Sequence, residues 1–474
     1  MLLDADLHVD AVVAPERVRV LRRSPLGTGP VLFWMQRAQR TVDNPALELA
    51  LALGARWDRP VFVLCAIDAH ESGLSERTAL FMLQGLRDVG ARLRERGVGF
   101  ACAQGDTVDV VTAAAAGAAA IVTERAYLRH EVAWRDAVAD RSPVSVVEVE
   151  SEVVVPVALA AQKAVYAARS LRPALSRLAD GFALPSPVVD VARPWPSEAA
   201  VPPLPGRDVT ALLHDGAALL PRLGLAGTAG RVDGWYEGGE VRAERTLDAF
   251  IRERLPGYAE HRRVPHEGSV SRLGMHLRFG QIAPGRVLRA VRRSVDGVPA
   301  EAREAFVEEL LVRRELAVNF VAFTPGYDTY ASALPAWAQA TLAAHRDDPR
   351  EHRYDRDALA AGHTHDPYWN AAMTEMRETG YLHNHMRMYW GKKILEWSAT
   401  PEAAYATALA LNDGYLLDGR DPNSYAGVGW VFGLHDRPWF ERAIFGTVRY
   451  MNANGLRRKS QPDAYVRMVQ ERIG

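Results

Sequence analysis

The sequence predicts an α/β domain built on a parallel sheet, then a long linker and an all-helical domain. Three observations predict it. Short apolar strands alternate with amphipathic stretches over roughly the first 180 residues, a cluster of prolines follows, and beyond that cluster the strand signal disappears. At 474 residues, 48% hydrophobic and 24% charged, the chain has the composition of a globular protein large enough for two cores. It opens on MLLDADLHVD, acidic where a signal peptide carries positive charge, and contains no run of about 18 apolar residues. The expectation is a cytoplasmic protein with no membrane segment, nucleoid-associated if the source is prokaryotic.

In chain order, the candidate strands are Val31 to Met35, Val61 to Ile67, Val98 to Cys102, Ala119 to Thr123 and Val144 to Val149. Helical stretches separate them. In Glu76 to Arg96, for example, Leu80, Leu83, Leu86 and Leu93 recur at helical spacing. This is the pattern of βαβ units around a Rossmann-like parallel sheet. No G-x-G-x-x-G follows the first strand and no phosphate-binding P-loop occurs, so an ordinary dinucleotide or nucleoside triphosphate site is not supported. Cys65 and Cys102 fall inside apolar strands and read as packing residues rather than a disulfide or metal pair.

Leu184 to Pro205 contains seven prolines and little helical pattern, which marks a linker. The expected division is residues 1–183, an α/β domain; 184–206, the linker; and 207–474, a helical domain. Within the last, Glu301 to Phe323, Asp366 to Thr379 and Leu382 to Ser398 read as helices, with Asp366 as an N-cap and Pro367 in the first turn. No internal repeat is present.

Net charge is −1, which does not announce a partner, but from Trp430 onward eight Arg or Lys face four Asp or Glu. The run Arg457, Arg458 and Lys459 is either a solvated face or a surface for a polyanion. Along Leu382 to Ser398, the residues Leu382, Met386, Trp390, Ile394 and Trp397 form one stripe. A stripe of this kind is core first; seven residues of helical rise also put Trp390 and Trp397 about 10 Å apart on one side, a spacing that suits electron hopping. Arg387 borders the stripe and needs an anion, for which Asp418 is the candidate. That pair either only fastens two helices or serves a site. His383, Asn384 and His385 spell a nuclease-like triplet but lie in an amphipathic helix, and His363 with His365 lacks a second ligand cluster, so no metal site is expected.

The stretch from Tyr381 to Lys459 resembles the C-terminal signature of class II photolyases. Upstream, FVEELLVRRELAVNF is similar to that family's Glu-bearing active-site helix, and SVSRLGMHLRFGQIAPGRV to its flavin phosphate-binding turn. FWMQRAQRTVDNPAL and YAARSLRPAL resemble segments of its antenna domain. The likeness covers most of the chain and is strongest from Asp366 to Lys459.

The resemblance implies an antenna domain followed by a helical domain that binds FAD, active in its reduced form, and damaged DNA containing pyrimidine dimers flipped out of the duplex. By motif position, Tyr258, Ser269, Val270, Ser271, Leu273 and Asn384 would hold the cofactor, with Arg387 and Asp418 as an ion pair beside the flavin ring and Asn412 facing its N5. Trp390, Trp369 and Trp397 would carry electrons from the surface to oxidised FAD. Glu309 would hydrogen-bond the dimer, Met388 and Trp430 would pack on it or on the gap in the duplex, and Arg457, Arg458 and Lys459 would meet phosphates. The sequence departs from the family's pattern at Gly274 and Met275, where Ser-Pro is common, at His385, often Tyr, and at Arg313, where some members have Trp.

The implied activity is light-driven repair of cyclobutane pyrimidine dimers by a carbon–carbon lyase. The alternatives are a cryptochrome-like photoreceptor without repair and repair of (6-4) photoproducts. The antenna domain could hold a deazaflavin or a folate, or stand empty, with no residue deciding between these, and a monomer is the simplest assembly.

Overall fold

A computed structural model describes residues 12–196 and 204–473. Five parallel strands form the middle of a seven-stranded sheet, in the order β1-β6-β5-β2-β3-β4-β7. The five are β2 (Val31–Trp34), β3 (Val61–Ile67), β4 (Gly99–Gln104), β5 (Ala120–Glu124) and β6 (Val146–Val149), close to the bounds read from sequence. Their near-continuous apolar runs follow from burial on both faces by crossover helices. The Glu76–Glu95 helix is one of these; it starts on a Ser75 capping box and buries Leu80, Leu83, Leu86 and Leu93. Cys65 and Cys102 sit opposite each other on β3 and β4, both buried and unbridged.

An antiparallel strand at each edge extends the parallel sheet read from sequence. β1 (Val18–Arg22) pairs antiparallel with β6, and β7 (Arg207–Asp208) pairs antiparallel with β4. Both escaped sequence reading for physical reasons. β1, VRVLR, is an edge strand with Arg19 exposed and no buried residue, and β7 is two exposed polar residues whose strand conformation comes only from their partner. Arg207, where the strand signal ends in the sequence, thus still belongs to the sheet.

Residues 184–196 of the proline-rich segment lie strapped to the α/β domain. Ser186 N–H donates to Asp43, Val189 N–H donates to Glu48, and Trp195 packs on Phe62 with ring centroids 4.8 Å apart. Beyond it the chain is helical. Three of its helical elements carry the site: Ala300–Val307, which passes through a π-helical turn, Glu308–Arg313, into Arg314–Phe323; Asn384–Trp397; and Pro422–Val431. Charged groups that satisfy one another join the two halves. Arg40 pairs with Glu152 at 2.5 Å and donates to the carbonyl of Gly280, and Glu240 accepts from the N–H and hydroxyl of Thr41. Among the described residues no helix is long and apolar enough to cross a membrane.

Candidate active site

A cavity of about 510 Å³ opens in the helical half, within the 300–1,000 Å³ range of small-molecule sites. It gathers most of the residues singled out from sequence: Tyr258, Val270, Ser271, Leu273, Glu309, Asn384, Arg387, Met388, Trp390, Asn412, Asp418 and Trp430 all line it. Ser269, Trp369 and Trp397 do not.

Arg387 Nη2 meets both carboxylate oxygens of Asp418, at 2.9 and 2.8 Å, while its Nε donates to the carbonyl of Leu382. The two side chains are 24% and 25% exposed, so the pair sits in the cavity wall with one side open. A Cβ on residue 274 would lie 3.1 Å from Asp418 Oδ2, so Gly274 is the residue that lets this carboxylate approach the flavin-turn segment. Met275 points away, into the core. Asn412, at the end of the Pro401–Tyr415 helix, donates from Nδ2 to Asp413 Oδ1 at 3.0 Å. Its carbonyl oxygen and second N–H remain for the cavity.

On the facing wall, Glu309 sits in the π-helical turn, and Arg262 Nη1 donates to it at 2.8 Å. Tyr258 stacks beneath this pair, its ring edge against Phe306, and burial together with the Glu309 charge pushes its hydroxyl pKa up to about 12. It is therefore a neutral hydrogen-bonding group. Arg313 extends over the ring of Trp430, 5.5 Å from its centroid. The indole N–H groups of Trp390 and Trp430 are buried without a hydrogen-bond partner, donors that an acceptor-rich group in the cavity would satisfy.

His383 Nδ1 accepts from the N–H of His385 as a helix N-cap, and burial, with His385 and Arg387 nearby, lowers its pKa to about 3. His385 and Asn384 line the cavity. Asp366 caps its helix as expected, accepting from the N–H groups of Tyr368 and Trp369. His365 stacks on His352 at 3.7 Å rather than pairing with His363.

The tryptophans form a continuous series. Trp390 faces the cavity, Trp369 donates its indole N–H to the carbonyl of Trp390 at 3.0 Å, and Trp369 meets Trp397 edge-on at 5.7 Å. Trp397 is only 2% exposed; solvent is reached through His365 and Tyr354, whose rings lie 5.2 and 5.4 Å from it. Tyr354 and His365, on either side of the Arg356–Ala361 helix, cover Trp397.

Arg457 and Arg458 are exposed but lie outside the cavity lining, with Arg457 donating to the hydroxyl of Tyr368; the side chain of Lys459 lies outside the described residues. A different patch, missed in the sequence, follows the cavity residue His435: Phe440 is 89% exposed, and Arg437 and Arg449 stack on the ring of Trp439. Its signal was available in RPWFER, an aromatic pair between arginines. Also missed was Lys392, a 2% exposed cation that donates to the last carbonyl of the Pro422–Val431 helix, that of Val431.

A second cleft lies at the carboxyl ends of β2 and β3, lined by Gln36, Arg37, Cys65, Trp134, Arg278 and Arg420. The cleft also reaches the segment after β5, beside the β2–β5 pair at which the parallel strand order reverses.

Residues 31–192 match the family described as DNA photolyase. The chain is 39% identical over 464 residues to a deoxyribodipyrimidine photo-lyase of Methanothermobacter thermautotrophicus, covering 97% of this chain and 99% of that one. It is 37% identical to that of Oryza sativa subsp. japonica, covering 94% and 88%, and 34% identical to that of Arabidopsis thaliana, covering 97% and 94%. In fold it is similar to a bacterial class III photolyase from Agrobacterium tumefaciens, with a TM-score of 0.70, 22% identity and coverage of 94% and 87%. A Synechocystis cryptochrome superposes with a TM-score of 0.73 at 15% identity, covering 93% and 88%.

Proposed function

This chain belongs to the DNA photolyase family, and from that premise we propose that it is a class II enzyme that repairs cyclobutane pyrimidine dimers in DNA under light. The observation that carries the reading is the convergence of the Arg387–Asp418 pair, Asn412 and Glu309 on one cavity that is joined to a series of buried tryptophans. The division into an antenna domain, residues 1–183, and a catalytic domain, residues 207–474, is part of the same proposal.

The cavity offers FAD the unpartnered indole N–H groups of Trp390 and Trp430 beside the Arg387–Asp418 pair, and when bound in reduced form FAD supplies a light-excited electron donor. Tyr258, Val270, Ser271 and Leu273 would hold its phosphates and ribityl chain, Asn384 and the Arg387–Asp418 pair would flank the ring, and Asn412 would offer an amide to N5. Because Asn412 presents both an acceptor and a donor, it accommodates N5 with or without a proton. Glu309, tied by Arg262, would hold a base edge of the dimer. Met388 and Trp430 would give the extruded bases an apolar seat that excludes water. Trp390, Trp369 and Trp397 would carry electrons inward to restore the reduced cofactor.

The partner is DNA. Arg457 and Arg458 would meet phosphates away from the lesion, while Phe440 and Trp439, beside the cavity and flanked by arginines, would occupy the gap in the duplex. The test is direct. Purified, reduced protein is illuminated with blue light in the presence of an oligonucleotide carrying one cyclobutane thymine dimer, and intact thymines are counted. Loss of the dimer supports the reading. Bound flavin without dimer loss would turn it toward a cryptochrome-like photoreceptor, and loss of a (6-4) photoproduct instead would reassign the lesion.

A further inference from the structure

We propose that Arg313 is a lesion-binding residue that donates to the phosphate linking the two nucleotides of the extruded dimer, while Trp430 seats a base. The inference rests on the photolyase reading above and deepens it, because the side chain at 313 departs from the Trp found in some members.

The backbone puts Arg313 there. It closes the π-helical turn Glu308–Arg313. One extra residue in a helix rotates everything after it by about 100°, and π-turns of this kind gather at functional sites. Glu309 and Arg313, four apart in the turn, both face the cavity, with Leu310 between them in its wall.

Its partners leave the cation available. Arg387 is committed to Asp418, Arg262 to Glu309 and Arg314 to the carbonyl of Glu152. Arg313 meets Glu308 through Nε at 3.2 Å, and that carboxylate is already gripped by Arg172 Nε and Nη2 at 3.0 and 2.7 Å. Burial would raise the pKa of Glu308, but the hydrogen bonds from Arg172 lead in holding it below the usual carboxylate range. The cluster of two arginines and one glutamate keeps a net positive charge beside the ring of Trp430. A guanidinium over an indole face, as Arg313 lies over Trp430 at 5.5 Å from the ring centroid, can still offer N–H groups to an oxyanion, which is how Arg combines a cation–π contact with phosphate recognition. An extruded dinucleotide brings one such anion, its internal phosphate, into the cavity mouth along with its bases.

Binding isotherms at several salt concentrations test this, using duplexes with and without a single cyclobutane thymine dimer. The proteins are the wild type, Arg313→Met, Arg313→Lys and Arg313→Trp. If Arg313 meets a phosphate, Arg313→Met weakens dimer-specific binding roughly tenfold and lowers the slope of log K against log salt by about 0.9. Arg313→Lys restores the slope. Arg313→Trp keeps a flat wall on Trp430 but has the reduced slope of the Met variant, which separates charge from stacking. An unchanged slope in the Met and Trp variants, with the wild type still preferring the dimer, overturns this inference and leaves the photolyase reading standing. A wild type that binds both duplexes equally overturns both.

Discussion

The indole N–H of Trp369 is bonded to the backbone carbonyl of Trp390, 3.0 Å away, so a side chain from one helix is locked against the helix that lines the cavity. Trp369 thereby stands between Trp390 and Trp397, which the helix alone would leave about 10 Å apart. Replacing Trp369 by Phe keeps an aromatic filler but breaks the best relay. Light-driven reduction of the oxidised flavin by an external thiol is expected to slow at least tenfold. Lesion repair by protein reduced chemically beforehand should fall by less than twofold. Absorbance of the flavin under blue light follows the first, and dimer counting follows the second.

Asp418 neutralises Arg387 at the cavity wall. Asp418→Asn leaves a largely desolvated guanidinium with a weaker partner, at a cost of about 1–3 kcal/mol given the partial exposure. Because that charge faces the proposed flavin ring, the purified variant should carry markedly less flavin per protein. The ratio of visible to ultraviolet absorbance reads this out.

Glu309→Gln removes the charge that holds Arg262 and the acceptor offered to the dimer. Repair yield per absorbed photon should fall about tenfold, while flavin content stays at the wild-type level. Equal yields would remove Glu309 from the lesion site.

Phe440 is too exposed to support the fold, so Phe440→Ala should change stability by less than about 0.5 kcal/mol. If its ring fills the duplex gap, affinity for dimer-containing duplex drops roughly five- to tenfold. Affinity for a single-stranded dimer, which has no gap, is unchanged.

Burial pulls the pKa of Lys392 down from 10.5 to about 7. The unfolded chain therefore binds this proton while the native protein does not between those values, so the Lys392 contribution to stability rises with pH across that window and is least favourable below pH 7. Lys392→Met removes the titration. The stability of wild type minus variant, from denaturant melts at pH 6.5, 8 and 9.5, should climb by about 1 kcal/mol or more per pH unit, whatever the constant offset from the lost bond to Val431.

Elements set by local pattern were legible without coordinates. The strands β2 to β6, the Asp366 cap, the buried stripe through Met386, Trp390 and Ile394 and the Arg387–Asp418 pair all follow from side-chain periodicity, from capping chemistry or from the need to neutralise a charge near an apolar face. The edge strands β1 and β7 were not, since a strand held only by its neighbour carries no pattern of its own.

By itself the sequence determined the two-part architecture, the family resemblance and a dozen of the residues that line the cavity, because these depend on periodicity and on motifs within a few turns of chain. Tertiary structure alone decided the contacts between distant segments: Arg313 on Trp430, Trp397 closed over by Tyr354 and His365, and Arg37 paired with Glu131 and, 384 residues along the chain, with Asp421. Local rules cannot reach these. A π-turn rotates a helix face without changing composition, and a charge finds its partner only once the chain has brought two remote surfaces together.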